Sequence, residues 1–370
     1  MRDKEAIVAF NMIPSVGFMT VQKLVADFGG SVVDAYENYP TKLDWEGKPV
    51  KWEAEFEKAA KMNVTIVAYG DELYPKRLLD NASPPLVLYV VGNPEVMSND
   101  GVALVGTRFC TPYGKEVATN IAFALARKGW TIYSGLARGI DGASHQGALD
   151  AKGCTVGVLG GAMDMFFPTE NRELARNMVA SGGAVVSEFP FGRHPDNTTF
   201  PRRNRIVAAL SRGVVSIECP VKSGTLITCS RALEMGRSVM AVPGRVGDKN
   251  SAGCLKLIRE GARLVTCAED IIEEISPIGK KCIPQKKHEK KPTQEKMQHV
   301  KQVKKEVPPE VKITLEESIV LRELDDSPVS VDQVVRKTGM EVGKVTPILV
   351  SLRMKGKVKF WPGNKVSLQS

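Results

Sequence analysis

The chain has 370 residues, of which 43% are hydrophobic, and a formal net charge of +9 at pH 7. This length predicts two or three domains with an ample apolar core. Seven widely spaced cysteines without a CxxC pair, and only four histidines, disfavour a disulfide framework and a metal centre. There is no signal-peptide pattern and no apolar run of about 18 residues, so we expect a cytoplasmic protein without a membrane partner.

The positive charge is concentrated in the C-terminal quarter of the chain. Residues 276–311 hold ten lysines against four glutamates, and residues 312–370 hold ten basic against seven acidic side chains. Residues 1–275 therefore carry no net charge. An anion site in this large part must be a local arrangement of cations rather than a basic surface.

Residues 1–98 are predicted to form a separate, mostly helical N-terminal domain. The segment 13–30 places a short turn, Pro14 to Gly17, before an amphipathic helix. This resembles a helix-hairpin-helix or SAM-like module, whose glycine turn can present backbone N–H groups to a phosphate. An ordinary helical bundle is the alternative, because Met19 stands where a second glycine is usual.

Residues 99–275 are predicted to form a Rossmann-like, doubly wound α/β domain. Short β-branched runs alternate with helical patterns such as 112–128, and runs that are apolar almost throughout are typical of a mainly parallel sheet covered on both faces. The predicted strands are 101–106, 130–134, 154–160, 183–187, 213–218, 238–242 and 263–266. Ligands of such folds bind at the carboxyl ends of the strands, where helix N-termini converge.

The loops after the first two predicted strands supply candidate anion contacts. Gly106, Thr107 and Arg108 follow the first strand, and the arginine offers a fork that matches phosphate. Taken alone, this motif would indicate an ordinary surface arginine after a strand, and the other loops favour the anion contact. Ser134 and Gly135 end the second strand, where a glycine permits close approach of an anion.

Two polar residues further along the second loop are interpreted as structural. Asp141 is expected to cap the following helix or to hold the loop through backbone N–H groups. His145 has no metal cluster or nucleophile at a suggestive spacing, so we expect it to be a hydrogen-bonding core histidine.

The segment 200–205, FPRRNR, combines an aromatic residue with three arginines at the start of a helix. This composition suits phosphate contact beside base stacking. The arginines cannot all face one way, because consecutive helical residues diverge by about 100°. We expect ligand contact from Phe200, Arg202, Arg203 and Asn204, and a structural role for Arg205, with some arginines bracing Glu188 or Glu218.

Lys222, Ser223 and Gly224 follow the fifth strand at another helix N-terminus. They form a candidate phosphate cradle, and a plain helix cap by Ser223 is the alternative. No GxGxxG follows the first strand and no GxxxxGK[ST] occurs, which disfavours a nicotinamide enzyme and a P-loop ATPase. The sequence therefore predicts no cofactor.

Residues 276–311 are predicted to be a basic flexible linker, because they have almost no large apolar residues. Residues 312–370 predict helices at 315–324, 330–338 and 341–355, then two strands around Pro362-Gly363-Asn364. This succession resembles a winged helix, with Gly339 in the turn and lysines on the wing at 355, 357, 359 and 365. Such a domain contacts duplex DNA or a protein partner, and the sequence leaves both open.

Seven motifs, taken together in order and spacing, resemble the DprA/Smf family. They are GTRxxxxYG (106–114), SGLARGIDGASHQGAL (134–149), GGAMDMFFP (160–168), SE (187–188), FPRRNRIVAALS (200–211), KSGTLIT (222–228) and PGR (243–245). The resemblance covers residues 100–270 strongly. It implies a homodimer that binds single-stranded DNA and helps load RecA recombinase on DNA taken up in natural transformation. Because cations and aromatic residues on convergent loops suffice for binding, we expect no catalytic turnover.

By motif, the resemblance makes Arg108 a principal phosphate contact and Phe200 a stacking contact. Asn197 stands where some relatives have a lysine, which leaves Arg193, Arg202 or Lys222 to supply that charge. The alternative function is a nucleotide or nucleoside-phosphate hydrolase with Glu188 or Asp164 as general base or nucleophile. A sequence-specific repressor acting through the winged helix is a third, weaker reading, because it leaves the loop motifs unexplained.

Overall fold

A computed structural model describes residues 1–276, 314–325, 329–355, 357–361 and 365–368. The chain divides into two compact units: a large unit that contains the first of these ranges and a C-terminal unit that contains the others. The predicted linker at 276–311 lies outside the described residues, apart from Ser276. In the described part of the chain, no helix combines the length and apolar character needed to cross a bilayer.

The chain begins with four helices, α1 (Asp3–Met12), α2 (Phe18–Asp27), α3 (Val32–Glu37) and α4 (Trp52–Lys61). They share a core in which Phe10 packs edge-on against Tyr36 and Tyr39, with ring centroids 5.2 and 5.7 Å apart. This core continues onto one end of the sheet, where Ile66 and Tyr89 are buried with the helices. The helical segment is therefore packed against the sheet.

The large unit is organised around one nine-stranded sheet. Its strands are β1 (Thr65–Ala68), β2 (Val87–Gly92), β3 (Gly101–Val105), β4 (Thr131–Ser134), β5 (Thr155–Val158), β6 (Ala184–Ser187), β7 (Gly213–Ser216), β8 (Ser238–Ala241) and β9 (Arg263–Leu264). Their spatial order is β1-β2-β6-β5-β4-β3-β7-β8-β9. From β6 to β9 all neighbours are parallel, whereas β2 pairs with β6 and with β1 in antiparallel fashion.

The chain winds outward from β3 in both directions, first through β4, β5 and β6 and then through β7, β8 and β9. Both faces of β3 are buried: Ala103 and Val105 belong to one core cluster, and Val102 and Leu104 to the other. The predicted doubly wound, mainly parallel sheet is confirmed. The strand order reverses between β3 and β7, which is where ligands of such sheets bind.

Helices cover both faces of the sheet. They are α5 (Pro112–Arg127), α6 (Ile140–Asp150), α7 (Arg172–Ala180), α8 (Thr199–Leu210), α9 (Gly224–Glu234), α10 (Ala252–Arg259) and α11 (Ala268–Ile275). Thr111 caps α5 by accepting the Gly114 N–H at 3.1 Å, and Pro112 occupies the first helical position. The predicted start of this helix is confirmed.

The sheet begins earlier than the sequence analysis predicts. Strands β1 and β2 lie within residues 1–98, which were assigned to a separate helical domain, yet they extend the sheet at its β6 edge. The reason is long-range pairing: Tyr89 lies opposite Ser187, and Val90 opposite Val186, nearly 100 residues along the chain. The prediction of a domain boundary at residue 98 therefore needs correction.

The C-terminal unit contains α12 (Leu315–Arg322), β10 (Val329–Ser330), α13 (Val331–Thr338), α14 (Val342–Met354), β11 (Val358–Trp361) and β12 (Lys365–Leu368). The strands form a small sheet in the order β10-β12-β11. Gly339 has a φ of 68°, a left-handed conformation that favours glycine, and it ends α13 before α14. The predicted helices and strands are confirmed, while Pro362, Gly363 and Asn364 lie outside the described residues.

Candidate nucleic-acid interface

A cleft of about 300 Å³ opens where the carboxyl ends of β3, β4 and β7 meet the first turn of α8. Its walls come from four predicted loops, and most of the predicted contact residues line it: Gly106, Thr107, Arg108, Gly135, Phe200, Arg203, Asn204, Lys222, Ser223 and Gly224. The position at the reversal of strand order explains why segments distant in sequence converge here. Ser134, Asn197 and Arg202 do not line this cleft.

Arg108 stands at the mouth of the cleft on a tightly held loop. The Thr107 N–H donates to the Glu218 carbonyl at 2.7 Å, which ties the β3 loop to the end of β7. A Cβ at Gly106 would lie 2.9 Å from the same carbonyl and 2.5 Å from Ile140, so only glycine permits this approach. Arg108 is exposed, and no carboxylate of the described residues forms an ion pair with it. Its guanidinium is available to a ligand.

The Arg108 guanidinium lies over the Phe200 ring at 4.7 Å from its centroid. Phe167 lies beside this pair, with its ring centroid 6.4 Å from that of Phe200 and 44% of its surface exposed. Gly160 packs so closely on the Phe200 ring that a Cβ there would be 2.5 Å from it. Arg108 therefore lies beside two partly accessible aromatic rings, Phe200 in the cleft and Phe167 in a small adjoining pocket.

Arg203 forms the floor of the cleft and is only 4% exposed. Its Nη1 donates to the carbonyl of Gly135, directly after β4, and to that of Val158, the last residue of the neighbouring β5. Burial lowers its pKa to about 10, opposed by the attraction of Asp141, so the side chain stays charged at neutral pH. The structure thus assigns Arg203 a supporting role beneath the cleft, and the direct contact with DNA stays a prediction.

Asp141 lies beside Arg203 and is 6% exposed. One carboxylate oxygen accepts the N–H groups of Gly135 at 3.1 Å and Ala137 at 3.3 Å, so the expectation that it holds this loop is confirmed. Burial raises the pKa of Asp141, while Arg203 and the hydrogen bonds lower it.

The side chain of Ser134 lies beneath the surface. Ser134 is fully buried, and its hydroxyl donates to the Leu104 carbonyl at 2.6 Å between adjacent strands. Ser134 is the last residue of β4 and its side chain has no exposed surface, so the structure disfavours the predicted contact with DNA. Gly135, the next residue, does reach the cleft.

The opposite wall is the start of α9. Ser223 accepts the Thr225 N–H at 3.1 Å and thereby caps the helix, as the alternative interpretation predicts. Lys222 is exposed. The Gly224 carbonyl accepts a hydrogen bond from Asn204 Nδ2 at 3.2 Å, which ties the start of α9 to α8. A helix N-terminus and one lysine therefore face the arginine across the cleft.

The other two arginines of the FPRRNR segment point away from the cleft. Arg205 pairs with Glu188 and donates to the Ser83 carbonyl at 2.7 Å, which confirms its structural role. Arg202 lies 3.7 Å from the same carboxylate and 5.4 Å from the centroid of the Phe189 ring. It remains 46% exposed, so it is accessible from the neighbouring surface.

The loop before α8 does not bring its own cation to the cleft. Asn197 is exposed, and Arg193 is bound by Asp196 and lies over Trp45 at 4.7 Å. Of the residues expected to replace the absent lysine, Lys222 lines the cleft and Arg202 lies nearby.

The carboxylates considered for hydrolysis are engaged elsewhere. Glu188 is 4% exposed and faces two arginines, and Asp164 binds Lys58 at 2.6 Å and the Gly192 N–H. Neither lines the cleft. Within the described ranges, no group of three or more His, Cys, Asp or Glu side chains is arranged to hold a metal ion.

His145 is a buried core residue, as predicted. Its Nδ1 lies 2.7 Å from Thr155 Oγ1, and burial lowers its pKa to about 3, so it is neutral near pH 7. Phe109 and Phe167 were not among the predicted contact residues. The 80% exposed Phe109 lines the cleft directly after Arg108, and a large aromatic residue inside a polar loop is the signal that identifies it.

Comparisons with known proteins agree with these features. A family model described as DNA recombination-mediator protein A matches residues 65–276, beginning at β1, and a model for the DprA winged helix domain matches residues 304–364. DNA processing protein DprA of Bacillus subtilis is 42% identical over 216 residues, which are 58% of this chain and 72% of that protein. Protein Smf of Escherichia coli is 34% identical over 307 residues, covering 83% of this chain and 78% of that protein.

Two solved structures are similar as well. DprA of Streptococcus pneumoniae aligns with a TM-score of 0.62 at 30% identity, covering 75% of this chain and 99% of that one. DNA processing protein A of Helicobacter pylori aligns with a TM-score of 0.51 at 28% identity, covering 56% of this chain and 94% of that one. That structure is described for its single-stranded DNA binding mode. With its sheet, its cleft motifs and its winged helix matched in this order, the chain belongs to the DprA/Smf family of DNA recombination mediators.

Proposed function

We propose that this chain binds single-stranded DNA in the cleft between β3, β4, β7 and α8. The observation that carries the proposal is the exposed Arg108 guanidinium held over the Phe200 ring, without a carboxylate partner among the described residues. A guanidinium binds phosphate oxygens with paired hydrogen bonds, and an aromatic face stacks on any base. Together they bind a strand with little preference for sequence.

The same geometry favours single strands over duplex. Phe200 is half-buried and lies beneath the Arg108 guanidinium, so a base must leave its own stack to pack against this pair. Bases of a duplex are already stacked and paired, and removing one costs a few kcal/mol. Single-stranded DNA avoids most of this cost.

The wider role that we propose rests on family membership. It is that of a cytoplasmic homodimer which helps load RecA recombinase on single strands during DNA uptake in natural transformation and in recombination. The winged helix would add a contact with duplex DNA or with a protein partner. We propose no catalytic turnover, because the carboxylates best suited to a hydrolase are bound by arginines, a lysine or backbone N–H groups.

Fluorescence anisotropy with labelled single-stranded and duplex oligonucleotides, over a salt series, tests the proposal. Arg108→Ala should weaken single-strand binding by about ten- to a hundredfold, since a hydrogen bond to a charged group is worth about 1.5–3 kcal/mol. Arg127→Ala is the matched control, because Arg127 also lies over a phenylalanine ring, 5.8 Å from Phe123, on the exposed side of α5. Equal affinity of both variants and the unmodified chain would contradict the proposal.

A further inference from the structure

A groove of about 480 Å³ adjoins the cleft on the far side of Pro201. Pro201 lines both, and the groove is bounded by the turn before α2, residues 81–83 and the exposed sides of α8 and α9. The groove is therefore next to the cleft, within reach of a strand that leaves the cleft past Pro201. Sequence reasoning gave no reason to connect these segments, which lie about 190 residues apart.

Two buried donors in the groove lack acceptors. The Nδ2 atom of Asn81 and the Nε1 atom of Trp45 are both buried and have no hydrogen-bond partner among the described residues. The Ser83 N–H donates to Asn81 Oδ1 at 3.1 Å, which fixes the orientation of the amide and leaves the donor unpaired. An indole N–H can only donate. Buried donors without acceptors are rare in folded proteins, and a bound water, ion or ligand usually supplies the acceptor.

The charge around these donors favours an anion. Arg202 and Arg205 both face the single buried carboxylate of Glu188, so one positive charge is left in excess. Arg231, also in the groove wall, is neutralised by Glu234 at 2.8 Å. Arg202, 46% exposed, is the cation free to turn toward a ligand in the groove.

The turn before α2 adds to this environment. Gly17 caps α2 without a side-chain hydrogen bond, and it lines the groove together with Ser15. The amides of a first helical turn have no intrahelical acceptor. The phosphate-presenting turn considered from the sequence therefore borders the two unpaired donors and Arg202.

We propose that this groove is a second phosphate-binding site, occupied by the backbone of the same DNA strand after it leaves the Arg108 cleft. The inference rests on the proposed function. Phosphodiester oxygens accept hydrogen bonds from Asn81, Trp45 and Arg202. The phosphate thus supplies the missing acceptors and also neutralises the excess positive charge. Short strands fill the cleft alone, and longer strands fill both sites.

The test compares anisotropy of the full chain with oligothymidylates of about 5 and about 20 nucleotides, a range that spans the usual site sizes of single-strand binders. Asn81→Asp keeps the oxygen that accepts from Ser83 and replaces the donor with a negatively charged oxygen. We expect affinity for the long strand to fall about tenfold, and its salt dependence to become shallower by about 0.7 in log–log slope, the contribution of one phosphate contact. Affinity for the short strand should stay unchanged.

Asn93→Asp is a matched control, because Asn93 Oδ1 accepts the Glu95 N–H at 3.0 Å in the same local geometry at an exposed site outside the groove. It should leave both affinities unchanged. Trp45→Phe removes the N–H and retains a ring beneath Arg193, so it should produce a smaller loss that is again confined to the long strand.

Three outcomes overturn the inference. If Asn81→Asp binds the long strand with unchanged affinity, the groove is not a second site. A loss of affinity in Arg108→Ala in the same series would still support the proposed function. Equal losses for short and long strands in Asn81→Asp show that the groove is not a separate extension. If Arg108→Ala binds both lengths normally, the proposed function fails, and the extension of its strand path fails with it.

Discussion

Arg108 and Arg127 both lie over phenylalanine rings, but in regions of the large unit that are built differently. The Arg108–Phe200 pair stands where the loops of three parallel strands and the start of α8 converge. The Arg127–Phe123 pair is formed within one helix, four residues apart, at the end of α5. The chemistry is the same, whereas only the first pair is surrounded by helix N-termini, glycines and further aromatic rings. Placement in the fold, rather than residue type, makes a cation a candidate contact.

The same contrast explains how a unit whose sequence carries no net charge can offer an anion site. Of the arginines in or near the cleft, Arg203 and Arg205 hold carbonyls and a carboxylate of the protein itself. In the C-terminal unit, the predicted wing residue Lys355 is similarly bound to Glu317 at 2.7 Å. Counting basic residues therefore overstates the number available to DNA in both units.

The largest effect should come from the floor of the cleft, which has no counterpart beneath Arg127. Arg203→Met removes the partner of two strand-end carbonyls and leaves Asp141 buried without its compensating charge. We expect the free energy of unfolding to fall by about 3–5 kcal/mol. Urea denaturation followed by circular dichroism measures it. The adjacent exposed Arg202→Met should change stability by less than about 1 kcal/mol, and a similar loss in both would refute the assignment.

That pair also shows what the sequence can and cannot predict. Helical geometry requires Arg202 and Arg203 to diverge, yet which of them points inward depends on how α8 packs against the strand ends. The strands from β3 to β9 were predictable because their apolar runs are local. β1 and β2 were not, since their place is fixed by antiparallel pairing with β6. Ser134 and Gly135 show a related limit, because a difference of one residue at the end of β4 decides whether a residue is buried in the sheet or lines the cleft.

A second large effect concerns pH and helix α6, which begins beneath the cleft and packs along α5. The pKa of His145 is lowered by burial to about 3, against 6.5 for an ordinary histidine. As pH falls from about 6.5 to about 3, the unfolded chain binds a proton that the folded chain does not, so stability decreases through this window and levels off below it. The expected loss is on the order of a few kcal/mol.

His145→Gln should flatten this dependence. Urea denaturation between about pH 7 and about pH 4.5 compares the slopes of stability against pH, independently of any constant loss that the substitution causes. The exposed His194→Gln is the control and should keep the slope of the unmodified chain. An unchanged slope in His145→Gln would show that other groups dominate the acid response.

The two aromatic rings provide a direct comparison of intermediate size. Phe200→Leu removes the stacking face under Arg108 and should weaken single-strand binding by about tenfold, since stacking contributes about 1–3 kcal/mol per base. Phe123→Leu makes the same change beneath Arg127 and should leave affinity unchanged. Anisotropy at fixed salt measures both. Equal losses would indicate that the substitutions act through stability rather than through a base contact.

The smallest predicted effect separates the charge of Arg108 from its shape. Arg108→Lys keeps one positive charge at the mouth of the cleft but loses the planar fork and its stacking on Phe200. We expect affinity to fall by only about three- to tenfold, the equivalent of one ordinary hydrogen bond. The slope of log affinity against log salt should not change, because it reports the number of phosphates neutralised. Arg108→Ala should reduce that slope by about 0.7. If Arg108→Lys lowers the slope of log affinity against log salt as much as Arg108→Ala does, the contact depends on paired hydrogen bonds from the guanidinium rather than on its charge. The cleft would then bind its strand by a fixed fit to one phosphate.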